Sequence, residues 1–203
     1  MLAGRRRALE AAKGRMPIST SHIAACLNEL KSKDAVIVNE LGVPLSQLQM
    51  TEPGSYMGGL LAGGLGFGLG AALGAKLAAP GREVISIVGD GSYMFGNPLP
   101  FHYVGRAEKL PTLSFISYNR TWHAVRQSTL DIFPEGHAAK ANIMPLTELK
   151  PSPDYEKVIA TCGGVGEKVE QPGDLLAALK RGFEAVRSGT PALVNVITQG
   201  RDA

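Results

Sequence analysis

Several stretches of the chain are apolar almost without interruption: A-V-I-V-N-E (35–40), V-I-S-I-V (84–88), T-L-S-F-I-S-Y (112–118) and A-L-V-N-V-I (192–197). A strand with one wet face alternates apolar and polar residues, whereas an unbroken run belongs to a strand covered on both faces. Between these runs lie segments with helical spacing. Ser19-Thr20-Ser21 caps a helix through about Leu30, with Ile23, Leu27 and Leu30 on one face. The tract from about Gly66 to Ala79 is helical and is broken by Pro80-Gly81. Further helices cover 98–108, 154–162 and the stretch from Pro172-Gly173-Asp174 to Val186. Residues 166–169 add a short strand, and 122–150, with little periodicity, read as helix plus loop. Strands alternating with helices predict an α/β fold, a three-layer αβα arrangement around a mostly parallel sheet of about six strands. Such sheets bind their ligands at the carboxyl ends of the strands.

Asn39-Glu40, Asp90 and Asn119 fall at those ends. Asp90 is the most telling of them, because V-G-D-G-S (88–92) clamps a carboxylate between two glycines where a buried strand stops. An unpaired carboxylate at the edge of a core is costly, so something must hold it. Asp90 and Asn119, 29 positions apart, offer hard oxygen atoms from two strand ends, as Mg²⁺ prefers. Gly89 and Gly91 let backbone N–H groups approach an anion, and Ser92 adds a hydroxyl. From spacing alone, two readings stand side by side: a diphosphate bridged by Mg²⁺, and a structural turn in which Asp90 caps the next helix.

The order of motifs goes further. G-D-G-S, followed by an Asn at a strand end and preceded by G-G-L-G-F-G-L-G-A-A-L-G-A-K-L-A (63–78), resembles the cofactor-binding domain of thiamine-diphosphate enzymes. The likeness is to the acetolactate synthase and benzoylformate decarboxylase group and runs from about residue 17 to 198. It implies that Asp90 and Asn119 ligate Mg²⁺ through their side chains and Thr121 through its carbonyl. Gly89, Gly91 and Ser92 then hold the diphosphate, with backbone contacts from Glu40, Leu41, Gly42 and Val43. Leu65 matches the apolar residue that props thiamine diphosphate into its bent form, and the Gly63 carbonyl accepts from its pyrimidine amino group. Trp122 either walls the pocket or simply packs the helix after the metal loop. The family often has Asn-Asn where Tyr118-Asn119 stands here, which spares the metal ligand and alters the hydrogen bonds of the first position. His102 and His123 are candidate acid–base groups, each set against an ordinary structural role.

The resemblance also implies what must come from elsewhere. Family members act on 2-oxo acids by decarboxylation, carboligation or oxidation, and a glutamate from a separate pyrimidine-binding domain activates the cofactor. Neither Glu40 nor Glu52 substitutes for it, so no catalytic residue is assigned within the chain. The expectation is a domain at 17–203 preceded by a linker helix at 1–16, completed by a pyrimidine-binding domain or subunit. Association into a homo-oligomer is expected too, because the family's sites lie between subunits. The alternative is a non-catalytic module that binds thiamine diphosphate or a partner.

Composition excludes other classes. With 44% apolar residues, 19% charged residues and a net charge of +3, the chain has an ordinary globular balance. The Arg5-Arg6-Arg7 run has no aromatic platform or basic groove beside it, so nucleic acid is not an expected partner. Cys26 and Cys162 imply neither a disulfide framework nor a zinc site, and no secretory signal opens the chain, so a cytoplasmic location is expected. Residues 57–75 carry no charge, yet eight glycines and four alanines leave too little apolar surface for a membrane span. The same tract satisfies a loose G-x-G-x-x-A dinucleotide fingerprint at Gly66, Gly68 and Ala71, but T-E-P-G-S-Y-M-G-G before it reads as a poor strand.

Overall fold

The computed structural model of the chain describes residues 14–59 and 64–198. The first thirteen residues of the expected linker helix lie outside that range, and residues 14–16 are not helical. The described residues form helix α1 (Thr20–Leu30), strands β1 (Val36–Glu40) and β2 (Tyr56–Gly58), α2 (Phe67–Ala78), β3 (Val84–Gly89), α3 (Asp90–Phe95) and α4 (Pro98–Ala107). Then come β4 (Leu113–Tyr118), α5 (His123–Ile132), α6 (His137–Ala141), α7 (Tyr155–Val158), β5 (Val165–Val169), α8 (Leu175–Arg187) and β6 (Ala192–Ile197).

All six strands run parallel in the order β2-β1-β3-β4-β6-β5. Successive residues of a strand point to opposite faces, and both faces of this sheet are covered. Ile85 and Ile87 of β3 join a core with Ile23, Leu27, Phe115, Leu179 and Phe183, under α1 and α8. Val88 joins Leu69, Tyr93, Phe101, Ile116 and Tyr155 on the other face, and Val84 joins Val36, Val38 and Ala72 there. That two-sided burial explains the unbroken apolar runs and bears out the αβα expectation.

α8 shows how the helices attach. Its buried residues Leu175, Ala178, Leu179, Gly182, Phe183 and Val186 recur at helical spacing, one stripe toward the sheet. Each large side chain so buried stabilises the fold by roughly 1.5–3 kcal/mol relative to exposure. Ser19 accepts from the His22 N–H and starts α1, as its position in the sequence predicts.

Two elements depart from expectation. Tyr56–Gly58, within the stretch read as a poor strand, pairs with β1 as the sheet's edge. Three residues, of which only Tyr56 favours a strand, suffice because β1 presents a free row of hydrogen-bonding groups and Ile37 donates to the Ser55 carbonyl at 2.8 Å. Asp154–Cys162, read as one helix, is a single α-turn at Tyr155–Val158 followed by a 3₁₀ turn to Cys162. Of the uncharged 57–75 tract, 57–58 belong to β2 and 67–75 to α2, and among the described residues no helix is long and apolar enough to cross a membrane.

From β1 the chain crosses to β2 on one side and then to β3 on the other. A crevice opens where the direction of winding reverses, outside the carboxyl ends of β1 and β3.

Candidate cofactor site

A cavity of about 200 Å³ lies at this crevice, with Leu41 after β1, Leu65 before α2, Gly89 to Ser92 after β3 and Asn119 after β4 around it. Thr121 and Trp122 complete the wall, with His123, Ala124 and Val125 from the start of α5. Sequence reasoning named most of these residues. It named neither Ala124 nor Val125, because the 122–150 segment has no periodicity from which to tell a pocket wall from a solvent face.

Asp90 is 1% exposed. Its Oδ1 accepts from the Gly91 N–H at 3.0 Å and its Oδ2 from the Arg120 N–H at 2.6 Å. Burial pushes the carboxyl up to about 6, against the pull of these backbone donors. Among the described residues no ion pair reaches it, so its charge is held by dipoles alone. Asp90 is thus the first residue of α3 and not its cap, and it ties the junction of β3 and α3 to the loop after β4.

The β4 loop is itself braced. Asn119 Oδ1 accepts from the Thr121 N–H at 3.0 Å, closing a turn that takes Arg120 through a left-handed φ of 63°. Thr121 Oγ1 and the Trp122 N–H both donate to the Thr147 carbonyl, at 2.9 and 2.7 Å, and Leu149 donates to the Arg120 carbonyl at 2.9 Å. The Thr121 carbonyl accepts from His123 N–H at 2.8 Å. Asn119 Oδ1 and this carbonyl each retain a second lone pair for a cation. Residues 147–149 are a strap that sequence reasoning missed, since their contribution is backbone and leaves no side-chain signal.

Trp122 lies directly over Gly91. A Cβ at residue 91 would stand 2.6 Å from Trp122 Cε3, closer than atoms approach, so only glycine fits under the indole. Trp122 therefore packs and walls the cavity at once. Tyr118, where the family often has asparagine, is 4% exposed and packs edge-to-face on Tyr155, with the Arg120 guanidinium 5.4 Å from its ring centre. His123 lines the cavity, whereas His102 does not. His102 is 2% exposed, shares a 2.7 Å hydrogen bond with Tyr93 Oη, and is pushed down to about 4 by burial.

The turn after β1 is fixed by Asn39, whose Nδ2 donates to the Val43 carbonyl at 2.9 Å while its Oδ1 accepts from the Val43 N–H at 3.2 Å. Leu41 has φ 58° and is 71% exposed at the cavity mouth, and Gly42 is pressed against Ile87. Glu40 turns the other way. Its Oε1 accepts from the Gly66 N–H at 2.6 Å and its Oε2 from the Gly68 N–H at 2.7 Å. These are the donors at the start of α2 that a dinucleotide's diphosphate would require, so the loose fingerprint is an internally satisfied helix end. Glu52 pairs with Lys33 at the surface, 2.9 Å away. Gly63 lies outside the described residues.

Among the described residues no group of three or more His, Cys, Asp or Glu side chains is placed to hold a metal ion. That excludes a zinc-type cage among them. One buried carboxylate beside an amide oxygen and a peptide carbonyl fits a hard divalent cation that takes its remaining ligands from phosphate and water. The residues present therefore fit a magnesium diphosphate group, with oxygen atoms of Asp90, Asn119 and Thr121 and the backbone of Gly89, Gly91 and Ser92 around one cavity.

A doubly covered parallel sheet with this site at its winding reversal defines a diphosphate-binding α/β domain. The family model described as thiamine pyrophosphate enzyme, C-terminal TPP binding domain, matches residues 42–196, and the chain belongs to that family. It is 32% identical over 188 residues to the probable acetolactate synthase of Mycobacterium bovis and to the acetolactate synthase large subunit IlvG of Mycobacterium tuberculosis. Each match takes in 91% of this chain and 32% of the relative, so the chain spans about a third of their length. Among solved structures, the thiamine diphosphate-dependent 4-hydroxybenzoylformate decarboxylase of Rhodococcus jostii superposes with a TM-score of 0.77 at 27% identity, over 92% of this chain and 33% of that one. Benzoylformate decarboxylase from Polynucleobacter necessarius shares the fold, with a TM-score of 0.72 at 23% identity over 91% of this chain and 34% of that one.

Proposed function

We propose that this chain is the magnesium- and diphosphate-binding part of a thiamine-diphosphate enzyme that decarboxylates or ligates 2-oxo acids. The observation that carries this reading is Asp90, buried at the start of α3 with no ion pair among the described residues and held by the Arg120 N–H of the loop after β4. Asp90 and Asn119 side-chain oxygens and the Thr121 carbonyl hold Mg²⁺. Gly89, Gly91 and Ser92 cradle the diphosphate, joined by the backbone of Glu40 to Val43. Leu65 supports the bend of the cofactor, and Trp122 closes the pocket against water.

When bound, thiamine diphosphate supplies a nucleophilic carbon and an electron sink for cleaving the bond between a 2-oxo acid's carbonyl carbon and its carboxylate. The residues of this chain bind and orient it. The activating glutamate comes from a pyrimidine-binding domain outside these 203 residues, facing the site across an interface, and the working enzyme is a homo-oligomer. Lyase or transferase chemistry follows from what that second domain admits. Cys26, which is buried, and Cys162 suggest no disulfide framework and suit a reducing cytoplasm.

The test is calorimetric titration of the chain with thiamine diphosphate, with and without Mg²⁺. Binding that requires the metal supports the reading, and equal binding after chelation refutes it. The chain alone is expected to release no CO₂ from a 2-oxo acid, and steady turnover by the purified chain would overturn the assignment of the activating group to another domain.

A further inference from the structure

Glu40 is at the end of β1, 4% exposed, and neither of its carboxylate oxygens faces the cavity unbound: both are taken by N–H groups at the start of α2. Residue 66 is glycine and has no side chain with which to cap that helix, so the cap comes from a different strand. Gly66 is held from the opposite side as well. Its φ is 87°, and a Cβ there would stand 2.6 Å from Gly96 Cα, so the backbone of the residues just after α3 is its other neighbour. Leu65, one residue upstream, has little freedom once Gly66 is pinned between this carboxylate and Gly96. Leu65 lines the cavity with Asp90 and Ser92, while Leu41, next to Glu40, lines its mouth.

We infer that Glu40 is a positioning residue: by capping α2 it sets Leu65 against thiamine diphosphate and locks the turn after β1 to the turn before α2. The inference rests on the function proposed above and assigns the Glu40 side chain a role apart from backbone contact with the diphosphate. A glutamine at 40 keeps the shape but turns an NH₂ group toward an N–H donor, so one of the two hydrogen bonds is lost.

The experiment is a double-mutant cycle on the full chain, with Glu40→Gln, Leu65→Ala and the pair, read as the dissociation constant of thiamine diphosphate at saturating Mg²⁺. Inorganic diphosphate with Mg²⁺ is titrated in parallel. Glu40→Gln is expected to weaken thiamine diphosphate about tenfold, as loss of a charged hydrogen bond does, and to weaken inorganic diphosphate markedly less, because the backbone contact at residue 40 is kept. The double variant is expected to bind no more weakly than Leu65→Ala alone. Additive losses, equal weakening of both ligands, or no loss in Glu40→Gln would each overturn the inference while leaving the proposed function intact. A parent chain that binds no thiamine diphosphate with Mg²⁺ would overturn both. Should Glu40→Gln not fold, Glu40→Asp goes through the same cycle and is judged by the same outcomes.

Discussion

The main-chain N–H of Arg120 donates to Asp90 Oδ2 at 2.6 Å, and through that bond the end of β4 is fastened to the end of β3. The carboxylate is thereby held in one orientation. A preformed ligand set of the kind proposed here loses little conformational freedom on binding, which is how one carboxylate and a few neutral oxygens would hold a metal.

Replacing Asp90 with Ala should therefore cost affinity more than stability. The variant loses the hydrogen bond to Arg120, but it also loses a buried charge, and these two effects oppose each other. Thiamine diphosphate affinity with Mg²⁺ should drop on the order of a hundredfold, the range seen when metal-site groups are removed, while the ligand-free melting temperature moves little. A variant that binds like the parent in calorimetry would end the metal assignment.

Gly91→Ala tests the contact with Trp122. The new methyl would stand 2.6 Å from the indole, so the ring must move. Overpacking of this kind destabilises by about 1–3 kcal/mol. Because Trp122 is the only tryptophan, its emission reports the displacement directly, and an unchanged spectrum would contradict the packing described.

The pH dependence of folding should carry the mark of His102, which burial lowers from 6.5 to about 4. The unfolded chain takes up this proton first as pH falls, so stability is complete above about 6.5 and is lost down to about 4. The loss is about 3 kcal/mol at most, from a shift of this size. In denaturant titrations between pH 7 and 4, His102→Gln should flatten part of the slope; an unaltered slope would mean that other groups set it.

Phe183→Ala provides a control at a distance. Phe183 is 1% exposed on α8, in the core face away from α2 and α3, and its truncation should cost about 3–5 kcal/mol. At temperatures where the variant is still folded, cofactor affinity should match the parent's. A large affinity loss would show that α8 and the site are coupled through the sheet.

The sequence alone determined the sheet, its covered faces and the placement of Asp90 and Asn119 at strand ends, because burial on both faces leaves an unbroken apolar run and a strand end leaves an abrupt polar one. Motif order was enough to indicate the family. It could not reveal β2, whose three residues pair because β1 offers a partner and not because of their own propensity. Nor could it show that the Glu40 side chain caps α2, 26 residues further on, or that Thr147 and Leu149 strap the loop after β4 through their backbones. Side-chain type and spacing record what a residue must be, but a carboxylate at a strand end serves a metal or a helix terminus equally well. Which of the two it serves depends on which N–H groups the fold brings within hydrogen-bonding distance, and that is settled only when β1 and α2 pack together.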